Sequence, residues 1–247
     1  MPLVLAHPPR ASGVSFLTPE QAARQEIRPL RIRVLDGTGD GELLAAWLAL
    51  LSNTPLQIEI LLGLRNDPAG TVPPDDALVS WAEVAPAQEA TTPALLIGPT
   101  ARHALERDYG LPVEHLTQSL ADLVQHRVVA SDHPLTAAQE PVVEVPLART
   151  WRFGIDAVSR VPGLEVLAHS PKGGVHLIAD ASRHRLFVLT QLGWSPIAFA
   201  RQVRRQQPGQ QHDDDLPAWT WRAHAQLLVA AWLNHWVYQI ASLPSKP

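Results

Sequence analysis

The sequence contains no cysteine among its 247 residues. This absence excludes disulfide bonds, thiolate metal ligands and a thiol nucleophile in the chain. Long hydrophobic runs are also missing, because no stretch approaches the roughly 18 consecutive apolar residues that a membrane-spanning helix needs. The apolar opening of the chain is interrupted by His7, Pro8 and Pro9. We therefore expect a cytoplasmic protein that does not enter a membrane.

An excess of positive charge is lacking as well. The chain has 20 Lys and Arg against 24 Asp and Glu, for a formal net charge of −4 and a pI near 6.2. The basic residues are scattered, apart from Arg201, Arg204 and Arg205. Without a basic patch the sequence has no electrostatic footprint for nucleic acid, which we do not expect as a partner.

Hydrophobic residues make up 46% of the chain, enough to bury one good core. Residues 1–26 show no hydrophobic period and are interpreted as an N-terminal leader packed on the surface, ahead of a single α/β domain over 27–247. The 23 prolines cluster in 67–93, in 134–146 and around 208–217, where they predict loops.

Hydrophobic patterning predicts strands that alternate with helices. A strand over 27–35, a Gly-rich turn over 36–41 and a helix over 42–51 form the first β-α unit. Further strands are expected over 56–62, 77–81, 93–97, 164–168, 175–179 and 186–190, with helices over 100–109 and 219–241. This order predicts an α/β fold with a mostly parallel sheet and helices packed on it.

The continuous apolar run over 93–97 (PALLI) is typical of a strand buried on both faces, and it leads directly into Gly98 and Pro99. Pro99 suits the first position of a helix, and Gly110 suits the residue just past its end. We therefore expect a strand-to-helix elbow at 98–99. Ligands in such sheets bind beyond the carboxyl ends of the strands, where the turn at 36–41 and the loop at 190–196 are also expected.

Several common site motifs are absent or incomplete. The turn sequence DGTGDG carries Asp36, Asp40 and Glu42 where a phosphate would lie, so we interpret it as a plain β-α turn. No G-x-S-x-G sequence is present for a serine hydrolase. The eleven histidines include no H-x-x-x-H pair with a nearby acid, and the run over 212–215 (HDDD) is typical of a solvated loop. We predict no metal site.

The densest group of functional-looking side chains is Trp221, Arg222 and His224, at the start of the predicted last helix. Such residues at a helix start often serve capping and packing. From the pattern alone, a structural role and a functional role both stay open.

Spaced segments resemble one known family. Residues 25–30 (QEIRPL), 51–57 (LSNTPLQ), 221–224 (WRAH) and 231–240 (AWLNHWVYQI) are similar to signatures of the homoserine O-succinyltransferase, or homoserine O-acyltransferase, family, and 149–168 aligns with the family without a gap. The resemblance spans 24–241. It implies the flavodoxin-like α/β fold of class I glutamine amidotransferases, and a place in methionine biosynthesis.

The family transfers an acyl group from acyl-CoA to the hydroxyl of homoserine through a thioester on a cysteine at the elbow, assisted by a His and a Glu. In this chain the nucleophile position is Gly98. The position of the His falls on Gln191 or Leu192, and that of the Glu on Gly193 or Trp194. The resemblance therefore implies that the thioester route is closed.

Other substrate-site positions of the family are only partly kept in this sequence. The substrate-site Lys falls on Ser119 and a site Ser falls on Ala148, whereas Arg149 is kept and Arg205 is similar to the family's arginine for the substrate carboxylate. The stretch over 78–93 is shorter than in the family. These departures put acyl-CoA binding in question.

Three hypotheses follow. The chain is a pseudoenzyme that binds a small amino-acid ligand or a partner acyltransferase, with Arg149 and Arg205 as binding residues and no cofactor. Alternatively it is an active acyltransferase with acyl-CoA as co-substrate, in which a base such as His103 or His224 deprotonates the acceptor hydroxyl for direct attack on the thioester. Arg222 is a further possible site residue, and Thr100 is a further candidate if acyl transfer is found. The third hypothesis is a structural role within a homodimer, because eight tryptophans supply interface material.

Overall fold

The computed structural model describes residues 3–4, 16–17, 29–53, 57–63, 76–83, 92–208 and 216–241. The described strands are β1 (Leu3–Val4), β2 (Phe16–Leu17), β3 (Leu30–Leu35), β4 (Ile58–Gly63), β5 (Ala77–Ser80), β6 (Ala94–Ile97), β7 (Glu114–Val128), β8 (Val142–Arg152), β9 (Glu165–Ser170), β10 (Gly174–Asp180) and β11 (Arg185–Val188). The helices are α1 (Gly41–Ser52), α2 (Pro99–Tyr109), α3 (Ile155–Ser159), α4 (Pro196–Gln206), α5 (Trp221–Trp232), a π-helical turn (Leu233–Val237) and α6 (Tyr238–Ile240).

These strands form one sheet in the order β2-β1-β4-β3-β5-β6-β11-β10-β9-β7-β8. All pairings from β2 to β11 are parallel. From β11 to β8 they are antiparallel. The sheet therefore has a parallel half, which contains the elbow, and an antiparallel half, which ends at the edge strand β8.

The two faces of the sheet are buried under different helices. In β6, Leu95 and Ile97 belong to one hydrophobic cluster with residues of α1, α4 and α5, while Ala94 and Leu96 belong to a second cluster with residues of α2 and α3. Successive residues of a strand point to opposite faces, so the unbroken apolar run over 94–97 is what a doubly covered strand requires.

The predicted fold class is confirmed, and the predicted strands over 27–35, 77–81, 93–97, 164–168, 175–179 and 186–190 are present with shifts of a few residues at their ends. The prediction of a loop over 134–146 is wrong at its end, because 142–146 belongs to β8. Pro146 fits there because β8 is an edge strand, whose outer side needs no ladder hydrogen bond.

The predicted leader over 1–26 lies outside the described residues except for β1 and β2, which extend the parallel half. The predicted loops over 67–93 and 208–217 and the acidic run over 212–215 are also largely outside them. Among the helices that the structure describes, none combines the length and the apolar character needed to cross a bilayer.

Candidate active site

The elbow at Gly98 has the backbone shape of a nucleophile turn but no side chain. Gly98 has φ 54° and ψ −119°, a conformation that residues with a side chain rarely adopt. Its backbone N–H donates to the carbonyl of Val188, at 2.7 Å, so the elbow is joined to the end of β11. A Cβ built on Gly98 would have no described atom within 4 Å beyond its chain neighbours. The space for a nucleophile is open.

The residues after Gly98 offer little in place of a nucleophile. Pro99 is the first residue of α2 and has no N–H to donate to an oxyanion. The hydroxyl of Thr100 is buried and donates to the backbone carbonyl of Ala82. His103 lies one turn further along α2 and is half-buried.

The loop at 190–196 follows β11, next to the elbow, because β6 and β11 are parallel neighbours. Gln191 is buried, and its side-chain oxygen accepts a hydrogen bond of 2.8 Å from the indole N–H of Trp47. Leu192 is 2% exposed and belongs to the core. Neither residue at the family's His position supplies a base.

The two residues at the family's Glu position are also used for packing. A Cβ on Gly193 would stand 2.5 Å from Nε1 of Trp47, so that only glycine fits there. Trp194 stacks on Phe199 with ring centroids 6.0 Å apart, and its backbone carbonyl accepts from the indole of Trp221 at 3.0 Å. The loop is therefore built around indole rings and has no carboxylate.

The turn at 36–41 supports the same indole packing. Asp36 accepts hydrogen bonds from the backbone N–H of Thr38 and from the indole of Trp81, both at 2.8 Å. Trp81 stacks on Trp47 with centroids 5.8 Å apart. Asp40 caps α1 by accepting from the backbone N–H of Glu42. These carboxylates stabilise the turn, as a plain β-α turn requires. The turn at 36–41, the elbow at 98–99 and the loop at 190–196 follow the carboxyl ends of parallel strands, and together we call them the rim.

The arginines predicted to bind substrate lie in different environments. Arg149 is 5% exposed and donates to the backbone carbonyls of Leu189 and Gly173, the latter at 2.7 Å. Burial lowers the pKa of Arg149 to about 9, so the guanidinium remains charged at neutral pH. Arg205 is exposed on the last turn of α4. Of these two arginines, only Arg205 is exposed to solvent.

Ser119 and Ala148, at two further substrate positions of the family, come together around one side chain. Gln206 donates from its amide nitrogen to the carbonyl of Ala148 at 2.9 Å, and its amide oxygen accepts from the hydroxyl of Ser119. The resemblance thus identified residues that are neighbours in space. In this chain, Ser119 and Ala148 are joined by hydrogen bonds to the side-chain amide of Gln206, and neither residue carries a charge.

His224 belongs to a buried polar network that the sequence analysis did not find. Its Nε2 lies 2.9 Å from Nε2 of His176, whose Nδ1 lies 3.3 Å from the hydroxyl of Thr190. The side chain of Gln139 contacts both Nδ1 of His224, at 2.8 Å, and its backbone carbonyl, at 3.3 Å. The polar His176 inside the apolar run of β10 was the available signal.

The partners in this network fix where the protons lie. The amide oxygen of Gln139 only accepts, so Nδ1 of His224 carries a hydrogen and its Nε2 accepts from Nε2 of His176. The hydroxyl of Thr190 then donates to Nδ1 of His176. Both rings are neutral and fully hydrogen-bonded. Burial lowers the pKa of His224 to about 3 and that of His176 well below its usual value.

His126 lies beside this network, with its ring centroid 5.2 Å from that of His176. Its Nδ1 donates to the carbonyl of Val124 at 3.0 Å, and its buried Nε2 has no hydrogen-bond partner among the described residues. Burial lowers the pKa of His126 to about 4. Within the described ranges, no three His, Asp or Glu side chains are placed to hold a metal ion.

Arg222, the other residue singled out at the start of α5, is exposed and lies over the ring of Trp219, with its guanidinium carbon 4.9 Å from the centroid. Trp221 is fully buried. At the start of α5, Trp221 is therefore a packing residue, and His224 is a buried member of the histidine network.

Comparison with known proteins identifies the family of the chain. Residues 78–243 match the family model described as homoserine O-succinyltransferase. The chain is 27% identical to a homoserine O-succinyltransferase of Pectobacterium carotovorum, over 94% of this chain and 91% of that protein. It is also 27% identical to a probable acyltransferase of Sodalis glossinidius, with the same coverage. A homoserine O-acetyltransferase of Bacteroides thetaiotaomicron is 26% identical, over 93% of this chain and 92% of that protein.

Solved structures share the fold at low sequence identity. A glutamine amidotransferase of Thermotoga maritima aligns with a TM-score of 0.56 and 9% identity, over 84% of this chain and 98% of that one. A GMP synthase-like protein of Thermoplasma acidophilum aligns with a TM-score of 0.54 and 14% identity, over 72% of this chain and 92% of that one. The family match covers more than half of the sequence, and the chain belongs to the homoserine O-succinyltransferase family.

Proposed function

We propose that this protein is a degenerate member of the homoserine O-acyltransferase family that has lost covalent acyl transfer and acts as a binding or regulatory pseudoenzyme in methionine biosynthesis. The observation that carries the proposal is the elbow itself. Gly98 has the strained backbone of a nucleophile turn but no side chain, and apart from its chain neighbours no described atom lies within 4 Å of the position of a Cβ.

The rest of the rim supports the same conclusion. A covalent route needs a nucleophile and a base that accepts its proton. The hydroxyl nearest to Gly98 in sequence, that of Thr100, is committed to the carbonyl of Ala82. Gln191 is an amide, which does not act as a base at neutral pH, and it is held by Trp47.

A small amino acid is the ligand class that the remaining charges favour. Arg205 is exposed on α4, close in sequence to Gln206, which contacts Ala148. The buried Arg149 adds a fixed positive charge beside the end of β11. As the two arginines that the family resemblance aligns with substrate binding, they favour a ligand with a carboxylate, which a homoserine-like amino acid supplies.

The experiment combines a ligand-binding readout with a turnover readout. Purified protein is titrated with L-homoserine in a thermal-shift assay, and CoA release from succinyl-CoA and acetyl-CoA is followed in a free-thiol assay with homoserine as acceptor. We expect a ligand-induced rise in Tm, which Arg205→Gln removes and Arg201→Gln keeps, without CoA release. Arg201 is the matched control because it is an exposed arginine on the same helix that pairs with Glu42.

The competing activity is direct acyl transfer from acyl-CoA without an enzyme-bound intermediate. Both ring nitrogens of His224 are hydrogen-bonded, which leaves the half-buried His103 as the candidate base. CoA release that depends on homoserine and disappears in His103→Ala would replace the pseudoenzyme proposal with this one. Absence of both CoA release and a Tm shift would contradict the amino-acid ligand and direct the search to a protein partner.

A further inference from the structure

A concave site lies at the β8 edge of the sheet, away from the elbow strand β6. A cavity of about 350 Å³ opens between the start of β8 and the first turns of α5. Four strands, β11, β10, β9 and β7, separate β8 from the elbow strand β6. Neither Gly98 nor the loop at 190–196 lines the cavity. It is therefore distinct from the rim where the family's chemistry would occur.

The walls of this cavity are apolar on two sides. Val142 is 49% exposed and Leu227 is 40% exposed, although both are large hydrophobic residues. Val143 and Ala223 complete the apolar lining. Exposed apolar side chains that meet in a concavity mark binding sites more often than isolated ones do.

The polar part of the lining carries one sign of charge. Glu140 and Glu144 both line the cavity, and none of its ten lining residues, all within the described part of the chain, is Lys or Arg. Two exposed arginines lie close to the lining without belonging to it: Arg222, which is turned onto the ring of Trp219, and Arg127, which is the partner of Val142 in the β7–β8 ladder. The cavity is thus an apolar groove with two carboxylates and no neutralising cation in its walls.

Two polar groups of the groove, those of Glu144 and Gln139, are held in place. Glu144 accepts a hydrogen bond of 2.8 Å from the hydroxyl of Thr220. Gln139 is fixed by its two hydrogen bonds to His224, whose ring is anchored in turn by His176. Preorganised walls of this kind lower the ordering cost of binding.

We propose that this groove binds a small organic cation of the alkylammonium class, with its hydrocarbon part against Val142 and Leu227 and its ammonium group facing Glu140 and Glu144. Charge complementarity selects the cation, because an anion would meet two carboxylates. The apolar walls favour a cation with an alkyl chain over a metal ion or the ammonium ion, because they stabilise a bound hydrocarbon group. The volume lies at the lower end of the range of about 300–1,000 Å³ for small-molecule sites, which suits a short chain.

The test is a ¹H–¹⁵N NMR titration of the full chain with n-butylammonium, and with butyrate and n-butanol as probes of matched length. We expect saturable shifts with n-butylammonium at the amides of 139–144 and 220–227, and none of comparable size with the other two probes. The double variant Glu140→Gln/Glu144→Gln is expected to weaken binding about tenfold, since it removes two partly exposed ion pairs. Asp156→Asn, which neutralises an exposed carboxylate on α3, is expected to leave binding unchanged.

Three outcomes would overturn the proposal: equal binding of butyrate, unchanged affinity in the double glutamine variant, or shifts at the elbow instead of the groove. Binding of a lysine-containing peptide without binding of n-butylammonium would also overturn it, in favour of a protein partner. The titration reports on binding at this groove alone, so it is independent of whether acyl transfer occurs at the elbow.

Discussion

The rim of the parallel half and the interior of the antiparallel half use polar chemistry in opposite ways. At the rim, the backbone of Gly98 keeps a catalytic shape while the positions around it are filled by indole packing. In the antiparallel half, His176, His224 and Arg149 have potentially reactive side chains, yet all three are buried and hydrogen-bonded. Within the described part of the chain, the rim has the backbone of an elbow without a side chain at Gly98, whereas the antiparallel half has titratable side chains that are buried.

This difference shows that the elbow backbone does not depend on a catalytic side chain. The carbonyl of Val188 and the buried strand β6 hold Gly98 in place through main-chain contacts and core packing. Reactivity depends on individual side chains. The side chain of Gln191 is committed to Trp47, and Gly193, which has no side chain, lies against the same indole. A recognisable fold therefore carries little information about whether its chemistry is present.

The largest expected effect comes from restoring a carboxylate to the rim. Gly193→Glu places a side chain against the indole of Trp47. We expect a loss of about 3 kcal/mol or more in the free energy of unfolding, from overpacking and a buried charge. Urea denaturation measures it. Gly41→Glu is the control, because Gly41 is exposed at the start of α1, and a change within about 0.5 kcal/mol is expected there. Equal effects of the two variants would contradict the packing account.

The histidine network predicts that stability falls in acid. The folded-state pKa values of His126 and His224 lie near 4 and 3, below the unfolded value of about 6.5, so the unfolded chain binds more protons between these limits. Stability is fully present above about pH 6.5 and is lost as pH falls toward the folded pKa values. We expect a loss of about 1.5 kcal/mol per histidine between pH 6.5 and 5.

This pH dependence is measured by urea denaturation at the two pH values. In His126→Leu the dependence should be shallower by the share of one histidine, because that proton uptake is removed. A stability that is flat between pH 6.5 and 5 would show that these histidines are not held neutral in the folded protein.

Adding one methyl group should destabilise the protein less at the rim, in Gly98→Ala, than in the antiparallel half, in Gly173→Ala. Gly98→Ala should cost about 1–2 kcal/mol from backbone strain alone, because its Cβ has open space. Gly173→Ala should cost about 2–3 kcal/mol, because its Cβ would lie 2.8 Å from Nε2 of His126. Thermal or urea unfolding of both variants measures the difference. If Gly98→Ala were the more damaging change, the elbow would not be open.

The smallest effect is expected at Arg205. Arg205→Gln should change the free energy of unfolding by less than about 0.5 kcal/mol, because the side chain is exposed. The same variant is expected to remove the effect of homoserine on Tm. A clear loss of stability in the absence of ligand would assign Arg205 to the structure of the rim instead of to binding.

Local patterns predicted the parallel half well. The apolar run over 94–97, Pro99 at the first position of α2 and Gly110 at its end each act within a few residues, and all three are found as expected. The antiparallel half was harder to predict from local patterns. The strands β7 and β8 pair across a long hairpin, and Pro146 within β8 is acceptable only because β8 is an edge strand, which is a property of the whole sheet.

The candidate active site could also be predicted only in part from the sequence. The absence of a nucleophile at Gly98 could be read from the sequence, because it needs only the identity of one residue. The contact between Gln191 and Trp47 joins residues 144 positions apart, and the network from Thr190 through His176 and His224 to Gln139 joins four separate segments. Such contacts depend on tertiary packing, and no local pattern predicts them.

The most direct test of the central claim is intact-protein mass spectrometry after incubation with succinyl-CoA, in the presence and absence of L-homoserine. Because Gly98 offers no nucleophile and Thr100 is committed to a carbonyl, we expect the mass of the protein to remain unchanged. A gain of one succinyl group, removed when homoserine is added, would reveal a covalent intermediate on another residue and contradict the account.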